Sequence, residues 1–362
     1  MRNFLPVFLC TFFLSSFSSA QDSTSAFSFS GYADAYIAIY TDSLPAKSYQ
    51  QFPTVSPRSK QFGLNIAQLS AKYTSDRLRG TIVLHYGDIP LSAWSPTFNF
   101  IQEANIGIRI CKNLWLDGGF FRSNVGTEAL LPKENIASSI AIPTYFEPYY
   151  EAGFRLNYAP TEKLALNLYL LNGYNLFEDN NKKKSIGLLV TYIINPYFSV
   201  GYDNYLGDDT PDEDTSATHL RFYNNLFANY EKNKLKIQAG IDIGIQQHSD
   251  FEDADKTASM FSGLVTVRYA VAKKVNVYGR FEYFTDPQAF LSGYVFDEDG
   301  SLSGLQMWGV TLGVEVKPTV NSYVRLEGRD LVAKNGQDLF YWNGESTNSR
   351  LEAMLNFGVW FP

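Results

Sequence analysis

From residue 21 onward, apolar and polar residues alternate with a period of two. In the segment 235–246, Leu235, Ile237, Ala239, Ile241, Ile243 and Ile245 are apolar, while Lys236, Gln238, Gly240, Asp242, Gly244 and Gln246 are polar or glycine. That period is the mark of a β-strand with two unlike faces. The same pattern runs through 104–110, 154–158, 164–170, 265–269 and 351–359. Two further segments, 60–73 and 183–195, read as strands with a less regular alternation. No apolar run after residue 20 approaches the ~20 residues of a membrane-spanning helix, and no long stretch has helical periodicity. The pattern predicts an all-β chain.

The connections narrow the class. Very short ones are expected at 74–76, 111–113, 159–161, 194–196, 231–233, 271–273 and 317–319. Long polar ones alternate with them at 41–59, 88–99, 122–146, 174–182, 207–217, 247–258, 286–303 and 331–349. Strict alternation of short and long connections gives about sixteen strands, the even number of a bacterial outer-membrane barrel. The expected fold is therefore a transmembrane, antiparallel, up-and-down β-barrel with short periplasmic turns, long extracellular loops and both termini in the periplasm.

The polar faces separate a membrane barrel from a soluble one. Asp34, Glu103, Asp117, Glu151, Asp242, Glu282, Glu315, Glu327 and Glu352 fall on them, as do Arg79, Arg109, Arg155, Arg221, Lys236, Arg268, Arg280, Arg325 and Arg329. A dry core would leave such ions several kcal/mol out of balance wherever one lacked a partner. A barrel of this size also encloses more space than its own strands can fill. The expectation is a water-filled lumen inside and lipid outside. Tyr73, Tyr86, Tyr158, Tyr230, Tyr269, Phe281, Tyr283 and Phe361 suit the aromatic girdles at the two membrane interfaces.

Composition then removes alternatives. Among 362 residues there are three His and two Cys, too few for a disulfide scaffold or a His- or Cys-based metal centre. The formal charge of −7 argues against nucleic acid as a partner. No G-x-S-x-G, H-E-x-x-H or phosphate-cradling glycine loop occurs, and His85, His219 and His248 have no evident catalytic partner, so neither enzyme activity nor a cofactor is expected. Residues 1–20 read as a secretory signal: Arg2, an apolar run from Phe4 to Phe17, then Ser18-Ser19-Ala20 as a cleavage site. Its removal takes away Arg2 alone among charged residues and leaves one thiol, Cys111. The acidic runs 208–214 and 251–255 read as solvated loop tips, with calcium or bridging to surface polysaccharide as the alternative.

Several blocks resemble one family, the β-barrel porin 2 (OmpL-like) proteins of Gram-negative outer membranes. Phe29-Ser30-Gly31-Tyr32-Ala33-Asp34-Ala35-Tyr36 is similar to that family's first strand, and Gln102-Glu103-Ala104-Asn105-Ile106-Gly107 to its fourth. Leu114-Trp115-Leu116-Asp117-Gly118-Gly119-Phe120-Phe121, followed by Asn124-Val125-Gly126-Thr127-Glu128, resembles its fifth strand and the start of its third loop. Pro148-Tyr149-Tyr150-Glu151-Ala152-Gly153 and Leu171-Asn172-Gly173-Tyr174 resemble later landmarks. The closing Phe357-Gly358-Val359-Trp360-Phe361 resembles a barrel insertion signal, followed here by Pro362.

The resemblance implies an outer-membrane channel for passive diffusion of small hydrophilic solutes. Loop 122–146 is expected to fold into the pore. The pore-lining candidates are Glu103, Arg109, Asp117, Glu128, Glu151, Arg155, Arg221, Lys236, Asp242, Arg268, Arg280 and Arg325. Their mixed signs imply weak ion selectivity, with acidic outer loops enriching cations at the mouth. Expected partners are the lipid bilayer, lipopolysaccharide, the barrel-assembly machinery and two further copies in a homotrimer. The alternatives are a substrate-specific channel, or a surface adhesin or glycan-binding barrel without an open pore, for which Trp94, Tyr145 and Trp342 are the candidate platforms.

Overall fold

The structure is a computed structural model that describes residues 26–361 except 43, 45–47, 215 and 216. The signal and cleavage reading of residues 1–20, and Pro362, lie outside the described residues. The first seven strands are β1 (Ala26–Tyr40), β2 (Gln61–Thr74), β3 (Leu78–Tyr86), β4 (Ile101–Cys111), β5 (Leu114–Arg122), β6 (Tyr150–Tyr158) and β7 (Leu164–Leu171). The next six are β8 (Ser185–Asn195), β9 (Phe198–Asp208), β10 (Leu220–Lys232), β11 (Leu235–Gln246), β12 (Ala258–Ala272) and β13 (Val275–Thr285). Then come β14 (Tyr294–Phe296), β15 (Leu302–Gly304), β16 (Gln306–Val316), β17 (Ser322–Ala333), β18 (Phe340–Trp342), β19 (Glu345–Thr347) and β20 (Ser349–Phe361). The pairs β14–β15 and β18–β19 are hairpins inside loops; the other strands pair antiparallel with their neighbours into one closed barrel. Closure is made by β1 on β20, with Gly31 opposite Phe361.

The barrel forms because each strand has one face for lipid and one for the interior. On β11, Ile241, Ile243 and Ile245 are about half exposed and point outward, while Gln238 and Asp242 are buried on the inward face. Tight turns sit at one rim: Asn233 takes a positive φ of 56° between β10 and β11, a conformation Asn tolerates, and Asn113 takes 64° between β4 and β5. At the other rim stand eight long connections, here L1 (41–60), L2 (87–100), L3 (123–149), L4 (172–184), L5 (209–219), L6 (247–257), L7 (286–305) and L8 (334–348). The third loop thus runs slightly beyond the expected 122–146, because β6 begins only at Tyr150.

The irregular alternation expected over 60–73 has a simple cause. The β1–β2 register shifts between Asp34 and Ala35, which pair with Ile66 and Leu64 and leave Asn65 as an extra residue. Both Asn65 and Ile66 are therefore buried, and the phase of alternation changes there. In β8 the phase is kept, but inward Leu189 is apolar and packs in a cluster with Val125 of L3.

Candidate functional site

L3 leaves β5 and crosses to the wall made by β10–β13, β16 and β17; β13 is half-way round the closed strand order from β5. Gly126, at φ +115°, brings the chain round where a Cβ would meet the Glu147 carboxylate. Next, Thr127 seats against β10 and β11. Its hydroxyl accepts from Asn225 Nδ2 at 2.9 Å and its carbonyl from Gln238 Nε2 at 2.7 Å. Gly240 makes the seat, since any Cβ there would occupy the Thr127 hydroxyl's position.

The middle of L3 is held by buried charge. Arg280 on β13 is 3.2 Å from Glu128, 3.3 Å from Glu282, and donates to the Ser139 carbonyl at 2.7 Å. Arg325 on β17 pairs with Glu315 and donates to the carbonyls of Pro132, Asn135 and Ala137 at 2.8–3.0 Å. Glu327 accepts the amides of Ser138 (2.7 Å) and Ser139 (3.0 Å), and Glu282 that of Ile142 (2.5 Å). Arg329 pairs with Glu282 at 2.9 Å. L3 closes with a short helix, α1 (Ile142–Phe146), whose Phe146 ring stacks on Phe284 of β13. A buried ion is tolerable only when paired and fully hydrogen-bonded, and L3 supplies its backbone for that purpose.

The inward charges are thus drier than the sequence suggests. Asp34, Asp117, Glu151, Asp242, Arg280, Glu282, Glu315, Arg325, Glu327, Arg329 and Glu352 are all buried. The reason is that loops enter the lumen. L1 does so as well: Arg350 pairs with Asp42 and Glu352 and donates to the Gln51 carbonyl, and Arg58 pairs with Asp88 at 2.9 Å. Burial raises the Glu128 carboxyl above its ordinary range while Arg280 opposes the rise. Glu147 is pushed well above that range by burial and then by Asp242, Asp203 and Glu128. Burial lowers the Lys133 ammonium, which sits over the Tyr32 ring and donates to Gln68.

The remaining candidates lie nearer the short-turn rim, beside the roots of L3 or, for Arg221, at the L5 end of β10. Asp117 is bridged by Arg79 at 2.5 Å and Arg155 at 3.0 Å, both half-buried. Glu231 is bridged in the same way by Arg268 at 3.0 Å and Lys236 at 3.7 Å. Arg109 pairs with Asp76 at the rim and lies over the Trp115 ring. Glu103 is 3.6 Å from Arg122, which also holds Glu134 of L3. Glu151 accepts from Ser123, Asp242 from Asn225 and Ser262, and Arg221 is 3.5 Å from Asp209. The sequence placed Glu282, Glu327 and Arg329 on the inward face, but no linear signal said they meet L3. Glu147, Asp203 and Asn225 it did not single out.

Of the three aromatic platforms considered for an adhesin, Trp94 is buried against His85, Tyr150 and Phe177, and Tyr145 is half-buried beside Phe52. Only Trp342, on the β18–β19 hairpin, is exposed, at 57%. In the acidic runs Asp208 is paired with Lys183 and Asp253 with Lys256. Among the described residues no group of three His, Cys, Asp or Glu side chains is placed to hold a metal ion.

A closed antiparallel barrel of sixteen strands, with apolar outward faces and an inward-folded third loop, defines an outer-membrane porin-type protein. The family model described as "Putative beta-barrel porin-2, OmpL-like" matches residues 26–361, and the chain belongs to that family. No curated protein matches the chain in sequence. Among solved structures it is similar to an anion-selective porin from Comamonas acidovorans, at TM-score 0.65 and 12% identity, covering 93% of this chain and 100% of that one. It is also similar to the outer membrane channel DcaP of Acinetobacter baumannii, at TM-score 0.61 and 10% identity, covering 92% and 97%. Salmonella typhi OmpF, in complex with daunomycin, gives 0.60 and 12% over 92% and 97%.

Proposed function

We propose that this porin-family barrel is a channel of small conductance for passive diffusion of small hydrophilic solutes, with weak ion selectivity. Its short turns face the periplasm, its long loops face outward, and it works as a homotrimer after export directed by residues 1–20. The observation that carries this reading is the pairing of inward charges. Arg79 and Arg155 share Asp117, and Arg268 and Lys236 share Glu231, so each set carries only one excess positive charge. The acidic L5 and L6 at the opposite rim pull the other way. A strongly selective pore instead needs a ring of one sign. L3 across the lumen accounts for the small conductance.

Planar-bilayer recording of the purified protein tests the reading. It should give ohmic current, with a reversal potential close to zero in a KCl gradient. The residual selectivity should fade between 0.1 M and 1 M salt, as the screening length falls from ~10 Å to ~3 Å. Strong anion preference, or block by one particular solute, would turn the reading towards a substrate-specific channel. Absence of current would favour a plugged surface barrel, the reading supported by the dense seating of L3 and by exposed Tyr341 and Trp342.

A further inference from the structure

A recess opens on the outer wall of β3–β6, towards the short-turn rim. Side-chain alternation fixes its side of the wall. Arg79, Asp117 and Arg155 turn inward and share one bridge, so Leu78, Gly80, Leu116, Gly118 and Phe154 face outward. Gly80, Ile106, Gly118 and Phe154 stand opposite one another in a single row across the four strands. Both neighbours of Ile106 in that row therefore lack a side chain, and Ile106 is 76% exposed. A Cβ at Gly80 would touch nothing closer than 3.7 Å. The next row, Leu78, Ile108 and Leu116, closes the recess towards the rim. Its volume is about 590 Å³ and its lining almost wholly apolar, within the ~300–1,000 Å³ of small-molecule pockets.

The rim beside the recess is basic. In or next to the short turns, Arg77, Lys112, Lys232, Lys234, Lys273 and Lys274 are all exposed. Three of these are engaged locally: Lys232 lies over the Tyr197 ring, Lys234 over the Tyr269 ring, and Lys274 donates to the Pro318 carbonyl. The two at the recess are not. Arg77 directly precedes Leu78, and Lys112 stands in the turn that joins the strand of Ile108 to that of Leu116. Among the described residues neither side chain has an ion pair or a hydrogen bond. Asp76, next to Arg77, is held by Arg109 at 2.5 Å and does not neutralise it. Two cations without acidic partners thus border one apolar recess.

We propose that the recess holds one acyl chain of an anionic phospholipid of the periplasm-facing leaflet, with the lipid phosphate at Arg77 and Lys112. Shape and charge each supply one part. In hydrocarbon no water fills a recess, and wall atoms facing a void lose their dispersion contacts. A flexible acyl chain restores them. The exposed cations then select the headgroup, since basic side chains at a membrane surface attract anionic lipid. A second copy of the barrel fits this face less well. It would bring its own basic turns to the same depth, and like charges brought together across a contact oppose it. The proposal rests on the sidedness given above. Lipid counts report the recess and antibody labelling of intact cells reports the orientation, so the two can fail separately.

The test is native mass spectrometry of the purified full barrel in mild detergent, loaded with phosphatidylglycerol or with zwitterionic phosphatidylethanolamine. One phosphatidylglycerol per chain should persist after other lipid is stripped, in severalfold excess over phosphatidylethanolamine. Gly80→Leu fills the recess from a position with open space around it, and should cut retention of both lipids severalfold. Arg77→Gln combined with Lys112→Gln should abolish the preference for phosphatidylglycerol and leave phosphatidylethanolamine retention as in the parent. Lys273→Gln, in a turn away from the recess, should change neither. If Gly80→Leu fails to keep the heat-resistant fold, the paired charge variant, altered only in exposed turns, still reads the headgroup preference. No lipid retained in stoichiometric amount, retention unchanged by Gly80→Leu in a folded barrel, or a preference unchanged by the charge variant overturns the proposal. So does an oligomer that Gly80→Leu splits into single chains with no loss of lipid, which would make the recess a contact between copies.

Discussion

Arg280 and Glu128 are 152 residues apart in the chain and 3.2 Å apart in the fold, with both side chains wholly buried. One stands on a barrel strand and the other on the loop that crosses the lumen. The pair therefore joins the scaffold to the element that decides how much of the interior is open.

Removing one member should be costly. Arg280→Met strands Glu128 in a dry setting, while Glu282 keeps Arg329, and breaking such a buried pair costs about 3–5 kcal/mol. The loop should leave its seat before the barrel unfolds. The expected result is a larger single-channel conductance with heat-resistant migration retained at moderate temperature. The double variant Arg280→Met with Glu128→Gln should recover part of the lost seating. Unchanged conductance in the single variant would mean that this pair does not hold L3 in place.

Gly240→Ala probes the same seat without touching a charge. The new Cβ takes the space of the Thr127 hydroxyl and breaks its contacts to Asn225 and Gln238. Limited proteolysis of the folded protein should then cut within L3, where the parent resists. Gly80→Ala, whose Cβ would meet only ordinary contacts with Asn105 and Ile106 on the neighbouring strand, should stay resistant.

The outer face obeys different rules. Ile241 is central on β11 and points outward, so Ile241→Arg should destabilise the barrel by ~2–4 kcal/mol, the cost of a cation near the bilayer midplane. Lys236→Gln, inward on the same strand, should change unfolding in lipid vesicles much less. Equal losses would mean that the two faces are assigned the wrong way round.

Sidedness can be read on cells. Epitope tags at Asp212 and Asp253 lie in long loops, and a tag at Asn233 lies in a short turn. Antibody should reach the first two on intact cells and the third only after permeabilisation; the reverse labelling inverts the orientation.

Glu147 gives stability a pH dependence with a definite sign. Its folded carboxyl lies well above the usual range through burial first and neighbouring acids second. The folded state thus holds the proton more tightly than the unfolded one. Its contribution is fully present below the unfolded value of about 4.3 and is lost as pH rises through the higher folded value. Thermal stability should therefore decline from mildly acidic pH upward, and Glu147→Gln should flatten the decline. An identical slope in the variant would assign the dependence to other groups.

The barrel was legible because lipid and interior make opposite demands on adjacent residues. β11 shows this plainly, with Ile at every outward position from 241 to 245. Where a loop covers the interior, that contrast weakens. Leu189 is inward and apolar because L3 lies over it, and Asn65 breaks the phase because a bulge needs one more residue. The candidate site was legible only as a set of inward charges. Whether Glu327 would meet water or the amides of Ser138 and Ser139 depends on a contact across 189 residues, which no local pattern encodes.

The seating of L3 also orders events in time. The loop is synthesised between β5 and β6, yet most of its anchors stand on β10, β11, β13 and β17, and Arg329 braces one of them from the strand that borders the last, β20. Until those late strands join, the loop has nothing to grip, and its carboxylates and carbonyls remain in water. Constriction is therefore a closing step of biogenesis: a barrel halted before its final strands would be a wider hole, and completing the cylinder and narrowing it are one event.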